Sequence, residues 1–360
     1  MPETSVSRSA IFSARPTFRI AGQEDARLST QLTSMRMEEG EGGMSRLKLK
    51  VTNWVATDDG AEMAFDANSQ LKLGADLAVY AGDEASPREI FKGKVSALEM
   101  ACNYGKPPEL VVLAEDALTA ARRSRRTKVY ADMSPADVVS AIAGDLGLTP
   151  SVSGLTSPQG TWAQLDETAL AFLRRLLARF DADLQVVGTT LQASPRKDVQ
   201  RGTIDLTLYS QLARVRLTAD LADQATAVTV AGWNAKDGTA VKGEASAIAN
   251  AGPGEGKSGV DWAQEVFGTR SEHLPGPAVF TTDEAKAVAE AALDQRARRF
   301  VRAEGVAEGN AQLRVGASVH ITGVSPQFDN TYYVVRACHL FDMAQGYRTE
   351  FGAECAYLGQ

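Results

Sequence analysis

Three histidines, His273, His320 and His339, are the first residues to test for chemistry in this sequence, because imidazole is the common base and metal ligand near neutral pH. None is spaced from another as His-x-His or His-x-x-x-His, and none has a cysteine or carboxylate at metal-site spacing. A histidine-dependent triad would need a nucleophile turn such as Gly-x-Ser-x-Gly, which is absent. Residues 251 to 258, AGPGEGKS, fit a relaxed phosphate-loop pattern. That chemistry needs a strand before the loop and a helix directly after it, so that N–H groups face the phosphates. Here KGEASAIAN precedes and GVDWAQ follows, Gly259 opens a helix poorly, and the acidic run LVVLAED lies far upstream at 110 to 116. The segment reads as a flexible loop. Cys102, Cys338 and Cys355 are too few and too scattered for a disulfide framework or a thiolate site. Among 45 Asp and Glu, no pair is singled out for glycoside hydrolysis. The expectation is a protein with no catalytic residue, no cofactor and no metal.

Composition is that of an ordinary globular protein. At 360 residues, 44% hydrophobic and 23% charged, the chain is long enough for two or three globular domains. A net charge of −7 does not suit a general nucleic-acid binder. The one basic run, RRSRRTK at 122 to 128, lacks interleaved aromatics and reads as a solvated or subunit-facing segment. No stretch approaches the ~20 apolar residues of a membrane span. The opening residues have no apolar signal-peptide core, so synthesis in a reducing cytoplasm is expected.

The elements that must carry any function divide as follows. Residues 1–16 read as a flexible N-terminus, and 17–118 as an all-β region of short runs punctuated by Gly and Asp. Residues 119–200 read as a small α/β module. In it, Ser134 caps a helix that opens on Pro135 and stops at Gly147. A second helix follows, with Leu170, Leu173, Leu177 and Phe180 on one face and Phe172 and Leu176 widening it, then a hairpin around Gly188. Residues 201–360 return to β, with a Gly-rich loop near 250–260 and a helix near 283–296.

The two β regions repeat. LKLGADLAVYAG from Leu71 overlies LRVGASVHITGV from Leu313, matching Gly74 with Gly316. Extended without a gap, the alignment lays Phe91, Val95 and Leu98 over Tyr333, Ala337 and Leu340. The expected fold is mainly β with an α+β insertion: two tube-like β-barrels flanking the α/β module. The end of the chain, QFDNTYYVVRACHLFDMAQGYRTEFGAE, reads as a hairpin closing the second barrel. Its apolar faces pair Phe341 with Tyr347, His339 with Thr349, Ala337 with Phe351 and Val335 with Ala353. Met343, Ala344 and Gln345 form the loop, and Gly346 sits where a left-handed bulge residue is wanted. Cys355 then lies opposite Tyr333, which keeps it from bonding Cys338.

This closing segment resembles the phage late control gene D family, the hub protein of contractile tails, similar also to the hub part of VgrG spike proteins. The residues that carry the resemblance are Gly309, Asn310, Leu313, Gly316, Phe328, Asp329, Tyr332, Val334, His339, Phe341, Asp342, Gly346, Tyr347, Thr349 and Phe351. TWAQLDETALAFLRRLLARFDADLQV resembles the family's middle module, and VTVAGWNAKDGTAVKGEA, with Trp233, resembles its Val-x-Gly-Trp stretch. The resemblance covers about 110 to 358; before that only the pattern matches. It implies a homotrimer whose two barrels per chain make a pseudo-sixfold ring between a sixfold tail tube and a threefold spike. The implied partners are a central spike protein, tail tube or tube-initiator proteins, and baseplate wedge proteins. Neither a membrane in the resting state nor sequence-specific nucleic acid is implied. The implied location is a phage tail or injection-system baseplate, with spike and lytic enzyme on separate chains. The competing readings are a tail-associated peptidoglycan-degrading enzyme and a soluble carbohydrate-binding β protein.

Overall fold

The computed structural model describes residues 15–58, 60–66, 68–82, 87–276 and 278–359; the expected loose segment before residue 15 lies outside them. The first region runs Thr17–Ile20 (β1), Gln23–Glu24 (β2), helix Ala26–Gln31 (α1), Leu32–Gly40 (β3), Arg46–Thr52 (β4), the small hairpin Val55–Thr57 (β5) and Gly60–Glu62 (β6), Asp76–Ala81 (β7), Arg88–Ala101 (β8) and Glu109–Glu115 (β9). The α1 turn was not expected. Asp25 caps it by accepting from the Leu28 N–H at 2.8 Å, and its Leu28 is buried in the core beneath the sheet.

The module follows with Arg125–Met133 (β10), helix Pro135–Asp145 (α2), Thr149–Val152 (β11), Gly160–Thr168 (β12), helix Ala169–Ala178 (α3), Ala182–Val187 (β13) and Thr190–Pro195 (β14). Ser134 and Asp137 form a reciprocal cap on α2. Leu170, Phe172, Leu173, Leu176 and Leu177 are all buried in the module's own core, so α3 is covered on more than one side, as its wide stripe predicts.

The last region contains Thr203–Thr207 (β15), Leu212–Ala219 (β16), Ala227–Asn234 (β17), Thr239–Ala245 (β18), Lys257–Ser258 (β19), helix Gly259–Phe267 (α4), Ser271–His273 (β20), helix Thr282–Arg298 (α5), Val301–Glu308 (β21), Ser318–Thr322 (β22), Asn330–Asp342 (β23), Gly346–Cys355 (β24) and Tyr357–Leu358 (β25). It is not one β unit. Strands β18, β17 and β20 form a separate three-stranded sheet with a core of its own against α5. This insertion was not anticipated, because its strands carry the same period-2 signal as their neighbours.

The expectation of two separate barrels is corrected by the strand pairing. Both β regions join one 13-stranded sheet, ordered β16-β21-β24-β23-β3-β4-β9-β8-β7-β1-β2, with β22 also on β23 and β15 on β22. Among the described residues neither region closes on itself. The join is β23, which pairs with β22 through Asn330–Tyr333 and with β3 through Arg336–Asp342. A strand this long has edge to spare beyond its short neighbour β22, and the first region supplies the strand that covers it.

The repeat is real in register, though not without gaps. Gly74 and Gly316 both adopt left-handed backbone, φ 81° and 86°. The Gly74 N–H donates to the Val95 carbonyl, and the Gly316 N–H to that of Val334. Val95 faces Ala114 and Leu98 faces Val112, as Val334 faces Ala353 and Ala337 faces Phe351, with one β-bulge between the two pairs in each case. Leu32 faces Val51 and Met35 faces Leu49, as Leu212 faces Ala307 and Val215 faces Gly305, again with a bulge between. So β7-β8-β9-β4-β3 and β22-β23-β24-β21-β16 are two copies of one arrangement that share these two bulges, while the bulge between Val79 and Tyr80 belongs to the first copy alone. The ungapped alignment misplaces the long strand: Val95 corresponds to Val334 and Leu98 to Ala337, three residues from where it lays them.

Candidate assembly site

The residues that could do chemistry are dispersed. His273 lies on β20, 3.3 Å from the Thr229 hydroxyl, and His320 on β22, 3.1 Å from that of Thr331. Among the described residues no group of three or more His, Cys, Asp or Glu could hold a metal. Cys102, Cys338 and Cys355 are all free, as expected. The basic run is partly paired: Arg126 and Lys128 lie 2.9 and 3.3 Å from Asp145, and Arg122 pairs with Glu115.

The AGPGEGKS segment needs two corrections. Gly259 does open a helix, with the Ser258 hydroxyl accepting from the Asp261 N–H at 3.1 Å. Only glycine fits there, since a Cβ would fall 2.6 Å from Gln224 and Phe300. Nor is the loop free of the fold: Gly254 packs on Cys355, and Lys257 and Ser258 pair with Leu358 and Tyr357. The Lys257 ammonium rests 4.0 Å over the Trp262 ring and pairs with Glu265. Its strand partner sits at the far end of the chain, and no strand runs directly into the loop as a phosphate cradle requires.

The closing hairpin is the best-specified part of the chain. Asp342 accepts from the N–H groups of Ala344 and Gln345 at 2.9 and 2.8 Å and from Arg348 at 2.7 Å, and Gly346 takes φ 67°. Burial works against ionisation of Asp342, but these donors together outweigh it and hold the carboxyl below its usual range. Phe341 faces Tyr347, His339 faces Thr349 and Ala337 faces Phe351, as read from the sequence. Beyond them the bulge at Val335 shifts the register, so Val334 rather than Val335 faces Ala353, and Tyr333 faces Glu354 rather than Cys355. A bulge leaves no mark in apolar alternation until the strand beyond it is known.

The hairpin does not close a second barrel; it belongs to both cores. Phe341 and Tyr347 are buried in the first core with Met35, Met37 and Val79, while Phe351 and Tyr332 are buried in the second. Between them lies a buried polar seam. The His339 Nδ1 is 2.8 Å from the Tyr347 hydroxyl and 3.4 Å from that of Thr349, which also accepts from the Asn310 N–H at 3.1 Å. Burial pushes His339 down to about 3. Glu39 of β3 accepts from the Arg314 guanidinium at 2.7 and 2.5 Å and from the Val315 N–H at 2.7 Å. Burial alone would raise the Glu39 carboxyl; Arg314 and that N–H overcome it and hold it low. Neither Glu39 nor Arg314 was singled out from the sequence. A signal existed, since alternation from Met35 and Met37 points Glu39 inward.

The other motif residues have local tasks. Asp329 accepts from the N–H groups of Gly323, Val324 and Ser325 at 3.1, 3.0 and 3.1 Å. The half-buried Phe328 offers its carbonyl to the Tyr332 hydroxyl at 2.7 Å. Gly316 turns the chain into β22, and Trp233 stands exposed on β17, away from the seam.

A family model described as the Alg8 N-terminal domain matches residues 44–342, well over half of the chain. The chain belongs to the Alg8 N-terminal domain family. That match covers the α/β module, the inserted sheet and most strands of both copies, and leaves out β3 and β24. No curated protein sequence matches the chain. Among solved structures, the Alg8 N-terminal domain chain is similar to the 43 kDa tail protein of prophage MuSo2 from Shewanella oneidensis, with TM-score 0.67 at 12% identity over 95% of this chain and 98% of that one. It is also similar to a tail protein from Neisseria meningitidis, with TM-score 0.64 at 11% identity over 96% and 99%. An E. coli component of the type VI secretion system, described as structurally similar to T4 bacteriophage tail proteins, matches with TM-score 0.58 at 13% identity over 95% and 78%. At such identities the likeness is one of fold.

Proposed function

We propose that this protein is the structural hub of a contractile phage tail or injection-system baseplate, of the gene D and VgrG-like kind, joining a sixfold tail tube to a threefold spike. The observation that carries this reading is the register-matched repeat. Two copies of one strand arrangement in each chain let three chains present six similar units to a tube and three identical chains to a spike. Closed cyclic symmetry is the usual solution for such assemblies. The fold shared with tail proteins of two bacteria and a type VI secretion component supports it. The partners proposed are a spike protein, tube or tube-initiator proteins and wedge proteins, in a particle assembled from cytoplasmic parts. Trp233 and the motif residues of the last region are proposed to act structurally, by positioning strands and turns.

The test is multi-angle light scattering on the purified chain, alone and with its spike, followed by negative-stain imaging. A trimeric ring is expected in at least one condition. A stable monomer in both overturns the reading, and clearing of peptidoglycan in a zymogram would favour a lytic enzyme instead.

A further inference from the structure

The two copies of the repeat differ in one respect that the register makes explicit. In the second copy, the far edge of β23 is covered by β3 over seven pairs, Arg336–Gly40 to Asp342–Ser34. The matching stretch of the first copy is the end of β8, from Ala97 onward. It pairs with β9 on one side and with no strand on the other among the described residues. The counterpart of β3 is β16, which pairs with β21 and, beyond a bridge between Leu208 and Leu212, meets no strand on its outer edge among the described residues. Each chain therefore carries one uncovered long-strand edge and one uncovered strand of the kind that covers it.

Burial tells the same story independently. Ala337 and His339, beneath β3, are both 0% exposed, whereas their counterparts Leu98 and Met100 are 36% and 47% exposed. Met35 and Met37 of β3 are buried, whereas their counterparts Val215 and Leu217 are only half-buried. Apolar side chains on the inward face of each element thus lack the neighbour that the other copy has.

We infer that β16 of one copy pairs antiparallel with the end of β8 in the next copy, repeating between chains the β3–β23 contact within a chain. The inference rests on the ring proposed above and names its interface. Transferred register sets Leu98 opposite Ala219 of the next copy, Glu99 opposite Thr218, Met100 opposite Leu217 and Ala101 opposite Arg216. Leu98 and Met100 then meet Leu217 and Val215 on the inward face. Glu99 and Arg216, neither with an ion pair among the described residues, become diagonal neighbours on the outward face. The contact is head-to-tail, so it generates a closed ring when the rotation allows. It also removes two exposed strand edges, which otherwise invite unspecific pairing.

The Glu41 N–H donates to the Val335 carbonyl, so Cys338 and Glu38 form a non-hydrogen-bonded pair, the closer kind. Their counterparts, Glu99 and Thr218, are therefore the positions to cross-link. With Cys102→Ser as background, Glu99→Cys with Thr218→Cys is oxidised and run on a non-reducing denaturing gel. Glu38→Cys opposite native Cys338 serves as the intrachain control. Covalent dimers and trimers are expected in the double variant and in neither single variant. A trimer by light scattering that yields no cross-link, while the control closes, overturns this pairing and leaves the hub reading standing. A monomer under all conditions overturns both. Met100→Asp should abolish the ring while leaving the monomer's thermal midpoint unchanged, and a Met100→Asp chain that still forms the ring counts against the interface.

Discussion

Leu49 faces Val112 in the first copy of the repeat; at the matching place in the second, Gly305 faces Phe351. A Cβ on Gly305 would fall 2.5 Å from the Phe351 ring, so the one large side chain occupies the room of two medium ones. The backbone register is the same and the cross-strand volume is roughly conserved, yet no residue is. Core packing constrains summed volume more tightly than identity, which is why the repeat shows few matching letters. The two copies also differ in what surrounds them. The first is completed by β1, β2 and α1, while the second is interrupted by the inserted sheet and α5.

The largest test of this comparison is truncation at the swapped pair. Phe351→Ala leaves a cavity that Gly305 cannot fill and should cost about 3–5 kcal/mol. Val112→Ala at the same place in the first copy removes far less volume and should cost about 2 kcal/mol. Urea titrations measure both, and equal costs would mean that the two pockets are not equivalent.

A smaller effect comes from His339, whose counterpart Met100 does not titrate. An unfolded chain protonates a histidine near pH 6.5, while burial holds His339 down to about 3. The unfolded state therefore takes the proton first. The stability tied to a neutral His339 is complete above pH 6.5 and is lost as pH falls towards 3. Between pH 6.5 and pH 5 that amounts to about 2 kcal/mol. His339→Leu should flatten this part of the stability profile relative to wild type. Taking the difference between the two proteins cancels the opposite contribution of Glu41, which burial raises to about 7. Parallel profiles would show that the seam tolerates a charged imidazole.

The smallest effect belongs to the insertion, which the first copy lacks. Lys257→Ala removes a cation–π contact and a pairing with the largely exposed Glu265, so its cost should stay within roughly 0.5 kcal/mol after solvent screening. Calorimetry checks this, and ATP binding abolished by the change would revive the phosphate-loop reading.

The hairpin shows how far the sequence reached. Gly346 in a left-handed turn after Met343–Gln345, and three of four cross-strand pairs, follow from alternation and turn chemistry within a few residues. The fourth pair failed at the Val335 bulge. The helices α2 and α3 were equally legible, because Ser134 and Pro135 and the leucine stripe act over one or two turns. The helix at Gly259 was missed, since its glycine answers to Phe300 and Gln224 rather than to helix propensity.

What the sequence determined by itself is therefore local: strand and helix periods, caps, the closing turn, and the inward parity of each strand. Which strand lies beside which was decided only in three dimensions. Period-2 alternation says that Met35, Met37 and Glu39 share a face, and that Phe341 and His339 share another. It does not say that the two faces meet across β3 and β23, three hundred residues apart in the chain. That contact depends on the surplus length of β23 over β22, on a bulge, and on Arg314 arriving beside Glu39. These are properties of the assembled sheet, and no single segment carries them.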